Sequence, residues 1–345
     1  AVVGIAKNDD IVEIINSVML DRRVVTFGDK LCHNMEGDKL QSTLPHYAYL
    51  RIADGCSNKC SYCAIPLIRG KMRSRKMENI IEEAKKFAEN GVKELVIVAQ
   101  DVTAYGIDLY KKYALPDLLK ELCKIDGIKW IRLLYCYPER MTDELIETIK
   151  TEDKVLNYID IPIQHCNKEI LRNMYRGGDE QSLRELFAKL RREIPGVVLR
   201  TTLITGFPGE TEEQFSELAE FVNDIKFERL GCFAYSAEED TPAAEMPDQV
   251  DEGERQRRAD IITSEQEIRM GEYYAGMVGN TYEVVCEGFD RYSDMYFGRS
   301  MHFAPEIDGM IYFTSAKDKS SLTIGDFVNV KITDVLENNL LGERV

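Results

Sequence analysis

The feature that most constrains the fold is an alternation of short apolar runs and amphipathic stretches between residues 47 and 235. Apolar runs predict strands over 47–53, 94–99, 130–136, 158–163, 197–204 and 229–235. The second of these contains LVIVA with no polar position, the pattern of a strand buried on both faces. Between the first two strands, Met77, Ile80, Ile81, Ala84, Phe87 and Ala88 fall on one helical face and Gly91 ends the helix. Further helices are predicted over 116–125, from Thr142 onward, over 167–174 and over 181–192. Another runs from the capping box of Thr211 and Gln214 to Ile225. Such alternation implies a parallel sheet with right-handed crossovers. Six units instead of eight predict an incomplete barrel, a partial (β/α)6 relative of the TIM barrel. Its ligand loops lie at the carboxyl ends of the strands, and its open side admits substrate.

The flanks read differently. Residues 1–44 suggest the end of a strand and a short helix carrying Ile11, Ile14, Ile15, Val18 and Met19, then a polar loop to Leu44. After Ser236 comes an acidic, proline-containing connector and a long helix over 254–274. From Gly279 the pattern changes to short β-branched runs at 281–287, 295–300, 310–314 and 327–334, which predict a small antiparallel, OB-like β-barrel. The expected division is therefore 1–44, 45–275 and 276–345.

Charge bears on partners. The chain has 44 Lys and Arg against 60 Asp and Glu, a formal net charge of -16 and a pI near 4.9. Binding to nucleic acid draws on neutralised phosphates and needs a basic face. The terminal segment from Gly279 holds 6 basic and 11 acidic residues, so a nucleic-acid grip is not expected there. Acidic balance suits a basic protein partner, although it also serves simple solubility. No apolar run approaches the roughly 20 residues that cross a bilayer, and no signal-peptide pattern opens the chain. Nine cysteines, three clustered and six scattered, suit a reducing cytoplasm better than a disulfide framework.

The clustered cysteines lie just after the first strand, in RIADGCSNKCSYCAIPLIRGKMRSR. Cys56, Cys60 and Cys63 fall within eight residues, close enough for three thiolates to reach one metal centre. Gly55, Ser57, Asn58, Lys59 and Ser61 around them are loop-forming residues. Three readings follow: buried small side chains, a zinc site closed by a remote fourth ligand, or an iron-sulfur centre with one open position. Other candidates gather at strand ends. They are Tyr62, Gln100 and Asp101 (with Tyr105 and Gly106 beyond), and Gln164 beside a lone His165 read as a structural donor. Ile204 and Gly206 lie in TLITGFPGE, a strand, glycine turn and helix start able to receive an adenosine or an anion. Arg200, inside an apolar run, requires a carboxylate partner. The basic run Arg69, Lys71, Arg73, Arg75 and Lys76 is either a solvated face or a grip for a carboxylate. Cys123, Cys136, Cys166, Cys232 and Cys286 are read as structural.

The spacing Cys-x-x-x-Cys-x-x-Cys with Tyr62 before the last cysteine resembles the signature of radical S-adenosylmethionine (SAM) enzymes. The longer strings CSNKCSYCAIPLIRGKMRSR, VAQDVTAYG, DIPIQHCNKEILRNMYRGG, TTLITGFPGETEEQF, FAYSAEEDTPA and YFGRSMHFAPEIDG resemble the methylthiotransferases of that superfamily, in the branch that modifies the twelfth small-subunit ribosomal protein. The resemblance implies that Cys56, Cys60 and Cys63 hold a 4Fe-4S cluster whose open iron chelates SAM. It also implies that Tyr62, Gln100, Asp101, Gln164, Arg200, Ile204 and Gly206 surround the cofactor, with Arg200 facing its carboxylate, and that the terminal barrel is a substrate-docking TRAM domain. In the implied reaction one SAM methylates a sulfur on an auxiliary cluster. A second is cleaved reductively, with an electron donor, to a radical that takes hydrogen from an aspartate β-carbon, which then receives the methylthio group. The family carries the auxiliary cluster on three cysteines of an amino-terminal domain. Only Cys32 remains here, so that cluster is expected in the full-length protein only. A transfer-RNA methylthiotransferase acting on isopentenyladenosine-type bases, or a docking module without turnover, are the alternatives.

Overall fold

The computed structural model describes residues 1–32, 34–37, 40–314 and 321–345. Six strands, β1 (Tyr47–Arg51), β2 (Glu94–Val98), β3 (Trp130–Leu133), β4 (Val155–Asp160), β5 (Val198–Thr205) and β6 (Arg229–Ala234), form one sheet in chain order. Every neighbouring pair is parallel. Helices α1 (Met77–Glu89), α2 (Leu115–Cys123), α3 (Asp143–Thr151), α4 (Glu180–Glu193) and α5 (Glu212–Ile225) lie between the strands. Their apolar stripes bury Ile80, Leu119, Leu145, Phe187 and Phe221 against Leu50, Ile97, Leu133, Ile159 and Leu203 of the sheet. The capping box at the start of α5 forms: Thr211 Oγ1 accepts from Gln214 N (3.3 Å), and Gln214 Oε1 accepts from Thr211 N (3.0 Å).

Two strands differ most from expectation. β3 ends at Leu133 because Tyr135 turns the backbone into the left-handed region at φ 62°. β4 begins at Val155 and ends at Asp160, short of Pro162, which has no N–H for a ladder.

Residues two apart on a strand share a face, so the opposite, concave face carries Tyr47, Tyr49 and Arg51, then Glu94, Trp130, Arg132, Tyr158 and Arg200. Six strands do not close, and the lower part of this hollow is filled by the terminal barrel. That barrel is built from β7 (Thr281–Asp290), β8 (Met295–Ser300), β9 (Ile311–Thr314), β10 (Phe327–Leu336) and β11 (Asn339–Arg344) in the closed order β7-β8-β9-β11-β10. Four of its pairings are antiparallel and β9–β11 is parallel. An odd number of strands cannot alternate direction all the way round. β11 was not expected: its only long apolar pair is Leu340–Leu341, and Gly342 sits where a Cβ would come 2.5 Å from Val330 Cγ1. A single helix, α6 (Glu252–Met277), joins the two units. At the amino end Val2–Val3 pairs in parallel with Val25–Thr26, and the helix Ile11–Met19 buries only Ile14, leaving Ile11, Ile15, Val18 and Met19 exposed.

The two units meet through apolar and ionic contacts. Tyr47, Val96, Trp130, Leu156, Tyr158 and Val198 pack with Val285 and Ala304. Beside them the Glu94 carboxylate accepts from Arg132 Nε (2.7 Å) and from Arg299 Nη2 of β8 (2.8 Å). Arg299 Nε donates to Glu287 (2.7 Å), whose carboxylate lies 2.9 Å from His46 Nε2. All five residues are 5% exposed or less. Burial alone would push the Glu94 carboxyl up, but Arg299 and Arg132 outweigh it and hold it down at about 2. Glu287 is lowered in the same way by His46 and Arg299 against its burial.

Removing one partner of a buried ion network strands the others, at roughly 3–5 kcal/mol. Arg299→Met is expected to lower the unfolding free energy by that order and to make the terminal barrel an early product of limited proteolysis; a loss below about 1 kcal/mol would contradict the ionic account. Because Glu94 is held far below its ordinary value of 4.5, its stabilisation is complete above that pH and disappears as pH falls from there towards about 2. Thermal midpoints measured across that window should fall steeply.

Candidate active site

The cysteine loop follows β1 and is pinned on three sides. Gly55, at φ 75°, lets it run against residues 70–71, where a Cβ would meet the Lys71 carbonyl oxygen at 2.5 Å. Cys56 N–H donates to Gly70 O (3.1 Å). Ser61 donates from its N–H to Met174 O (3.1 Å) and from its hydroxyl to Asn173 O (2.7 Å), and its own carbonyl accepts from Ala243 N (2.9 Å).

This places Cys56, Cys60 and Cys63 on the wall of one cavity of about 490 Å³ at the carboxyl end of the sheet. Among the described residues, no three His, Cys, Asp or Glu side chains gather around a single-ion position. A cubane asks for something else, since each thiolate binds a different iron, and three thiols on one cavity wall fit that. Burial pushes the Cys56 thiol up to about 11, with the Asn58 N–H pulling the other way, and raises Cys63 too. Binding a cluster there must displace those protons.

Tyr62, Gln100 and Gln164 line the same cavity. Gln100 Oε1 is buried without a hydrogen-bond partner, an open acceptor that suits a donor on a bound molecule. Gln164 sits at φ 71°, held by its N–H to Thr202 O and by Ile204 N–H to its carbonyl, both 2.9 Å. Tyr135, the second left-handed residue on the wall, is fixed by its N–H to Asp160 Oδ2 (2.9 Å). Left-handed non-glycine residues cost of order 1–3 kcal/mol and concentrate at functional sites. Tyr62 lies in a packed group with Ile170, Met174, Phe207 and Tyr235, and its hydroxyl is raised chiefly by burial, against the pull of Arg176.

Four expected cofactor contacts take other roles. The Asp101 carboxylate, nearly inaccessible, accepts from Asn58 Nδ2 (2.9 Å), Thr103 Oγ1 (2.6 Å), Ala104 N (3.1 Å) and Arg140 Nη1, so it clamps the cysteine loop from behind. Arg200 finds its carboxylate within the chain, at Asp160 Oδ1 (2.7 Å), and does not line the cavity. Ile204 packs among Ile170, Met174, Phe207 and Tyr235. Gly206 donates its N–H to both Glu210 oxygens (3.1 Å each), and a Cβ there would lie 2.3 Å from Arg255 Cγ. The glycine therefore admits α6, and the turn's anion is Glu210, which also accepts from Arg258 (2.8 Å) and stands 3.5 Å from buried His165. The basic run is a solvated face only in part: Lys71 and Lys76 are exposed, whereas Arg69 donates to Asp54 (3.0 Å) and buried Arg75 pairs with Glu36 and with Glu83 (2.6 Å).

Several lining residues escaped the sequence reading. Arg51 shares the concave face with Tyr47 and Tyr49, a parity visible in the strand once its direction is known. Arg176 lies over the Tyr137 ring (4.2 Å) and donates to Pro162 O (2.8 Å). Asn58 and Tyr137 complete the wall, along with Cys136, which is not merely a core residue.

The comparisons agree with this geometry. The Radical SAM superfamily model matches residues 50–222, and the TRAM domain model matches residues 278–345. A ribosomal protein uS12 methylthiotransferase RimO from Caldanaerobacter subterraneus subsp. tengcongensis is 48% identical over 99% of this chain and 78% of its own length. Proteins of the same name from Clostridium botulinum (50% identical, 89% of this chain and 68% of the relative) and Thermoanaerobacter sp. (46%, 99% and 78%) are similarly close. With the cysteine cavity, the six-stranded sheet and the terminal barrel all inside those matches, the chain belongs to the ribosomal protein uS12 methylthiotransferase family of the radical SAM superfamily.

Proposed function

We infer that this chain is a radical SAM methylthiotransferase acting on ribosomal protein uS12, and that the acceptor is the β-carbon of an aspartate. The observation that carries the reading is the placement of Cys56, Cys60 and Cys63 on one cavity at the strand ends, facing the unpartnered acceptor of Gln100. Bound there, a 4Fe-4S cluster and SAM would supply the one-electron chemistry that activates an unreactive C–H bond. The chain's residues hold and orient. The three cysteines would ligate the cluster, Gln100 Oε1 would accept from the cofactor's amino group, and Arg51 would take its carboxylate in place of Arg200. Asp101 would keep the loop in register through Asn58 and Arg140. The apolar part of the wall, Ala53, Ile65, Val98 and Pro162, limits water around the reacting atoms.

The acidic terminal barrel supports a basic protein substrate over transfer RNA, because a phosphate backbone would meet like charge. The auxiliary cluster is proposed to lie outside this chain: the other six cysteines are spread over separate elements, with Cys123 ending α2, Cys232 in β6, Cys286 in β7, Cys136 and Cys166 buried in loops and Cys32 exposed near the amino end. All nine cysteines are free, which supports a reducing, cytoplasmic setting with an electron donor to hand; among the described residues no helix is long and apolar enough to cross a membrane.

Mass spectrometry of uS12 after incubation with the full-length enzyme should reveal a methylthio adduct on an aspartate; an adduct on transfer RNA alone would sink the protein reading. Anaerobic reconstitution of this chain should load about four irons, and Cys60→Ala should abolish the cluster's visible absorption; about eight irons would refute the single-cluster proposal. Arg51→Met is expected to weaken SAM binding by roughly tenfold or more, the worth of a hydrogen bond to a charged group, with iron content unchanged. Equal SAM affinity in wild type and variant would remove Arg51 from the site.

A further inference from the structure

Below the cysteine cavity the concave face opens into a second cavity of about 480 Å³, walled by β5, β6, α6 and residues 307–309 of the terminal barrel. The two cavities share one strip of the sheet, since Thr202 lines the first and Arg200, two residues back on the same face, lines the second.

Two side chains in the lower wall are buried with donors left over. Arg229, 4% exposed, gives Nη1 to Glu228 O (3.2 Å), and its Nε lies 3.4 Å from Asp308 Oδ1 in poor hydrogen-bond geometry; Nη2 has no hydrogen-bond partner. Tyr274, 1% exposed, has a hydroxyl with none. The guanidinium sits 5.0 Å from the Tyr274 ring and 4.9 Å from the Phe303 ring, so aromatic faces hold it in this corner. Burial raises the Tyr274 hydroxyl, against the opposing pull of Arg229, and leaves it protonated as a donor. Buried donors of this kind normally have a partner.

The charges around them are already balanced. Arg200 pairs with Asp160, and Asp308 faces Arg229 while accepting from Tyr158 (2.8 Å) and Ala304 N (2.8 Å). Glu267 adds a further carboxylate to the wall. Spare N–H and O–H groups without spare positive charge select a neutral oxygen, and a phosphate would meet Asp308 and Glu267. We propose that this cavity is a substrate-anchoring subsite in which Arg229 and Tyr274 donate to a main-chain carbonyl oxygen of the protein substrate, while the residue to be modified lies in the cysteine cavity. The proposal rests on the protein-substrate reading above, and both residues are positioning groups that touch no reacting atom.

The test is equilibrium binding of uS12 to this chain, its Tyr274→Phe variant and its Arg229→Lys variant, with thermal midpoints and SAM affinity measured alongside. Tyr274→Phe removes a hydroxyl that makes no well-formed hydrogen bond in the fold and has Arg229 as its polar neighbour, so the midpoint should stay the same or rise. Affinity for uS12 should fall roughly tenfold in both variants, and SAM binding should not change. Unchanged uS12 affinity in Tyr274→Phe would mean that the corner holds only water and would overturn the proposal. A lowered midpoint in that variant would make the hydroxyl structural and overturn it as well. Displacement of uS12 from the wild type by millimolar inorganic phosphate, relieved in Arg229→Lys, would replace it with an anion site. Failure of the wild type to bind uS12 at all would instead refute the protein-substrate reading.

Discussion

The Glu94 carboxylate, at the first position of β2 and facing the hollow of the sheet, governs how the rest of this molecule is put together. An isolated carboxylate there would lose several kcal/mol of hydration, so the structure surrounds it with Arg132 from the next strand and Arg299 from the terminal barrel. Arg299 in turn requires Glu287, and Glu287 requires His46. The terminal barrel therefore cannot leave the hollow without exposing a chain of charges to the wrong surroundings. Its seat closes the lower end of an open six-stranded sheet, and the carboxyl end is what remains for chemistry.

The same reasoning separates the groups that hold the site from those that could act in it. Asp101, Asp160 and Glu210 are buried carboxylates whose oxygens are occupied by neighbours in the chain: Asn58 and Arg140, Tyr135 and Arg200, Gly206 and Arg258. Asp101 and Asp160 hold Asn58 and Tyr135 on the wall of the cysteine cavity, and Glu210 holds the turn after β5 against α6. Gln100 differs, because its Oε1 is buried at the cavity wall without a hydrogen-bond partner among the described residues; Arg51 lines the same cavity. A buried polar group left without a partner is costly, so the Gln100 acceptor at the strand end is suited to a donor on a bound molecule.

The acidic balance of the chain acts at longer range. A net charge of -16 raises the local concentration of basic partners and repels phosphate backbones, whereas inside the hollow Arg132 and Arg299 are matched to Glu94 and Arg200 to Asp160. Attraction would come from the outer surface and selectivity from hydrogen bonds within.

The amino-acid sequence by itself determined the architecture and the centre of the chemistry. Alternating apolar runs and helical stripes can bury their faces only as a parallel sheet clothed in helices, and three cysteines within eight residues are close enough to share one wall. The change of period after Gly279 likewise announces a second, all-β unit. Tertiary structure alone decided the contacts made across strands. Arg200 was legible as an arginine in need of a carboxylate, but Asp160, 40 residues away, became its neighbour only through strand register. Gly206 was legible as a turn, but its close neighbour Arg255 depends on where α6 docks. Arg51 faces the cavity because of strand parity, and Arg229 and Tyr274 meet only because the terminal barrel folds back into the hollow. Local pattern reports what each residue would prefer to bury; which neighbour satisfies that preference is set by the packing of elements far apart in sequence.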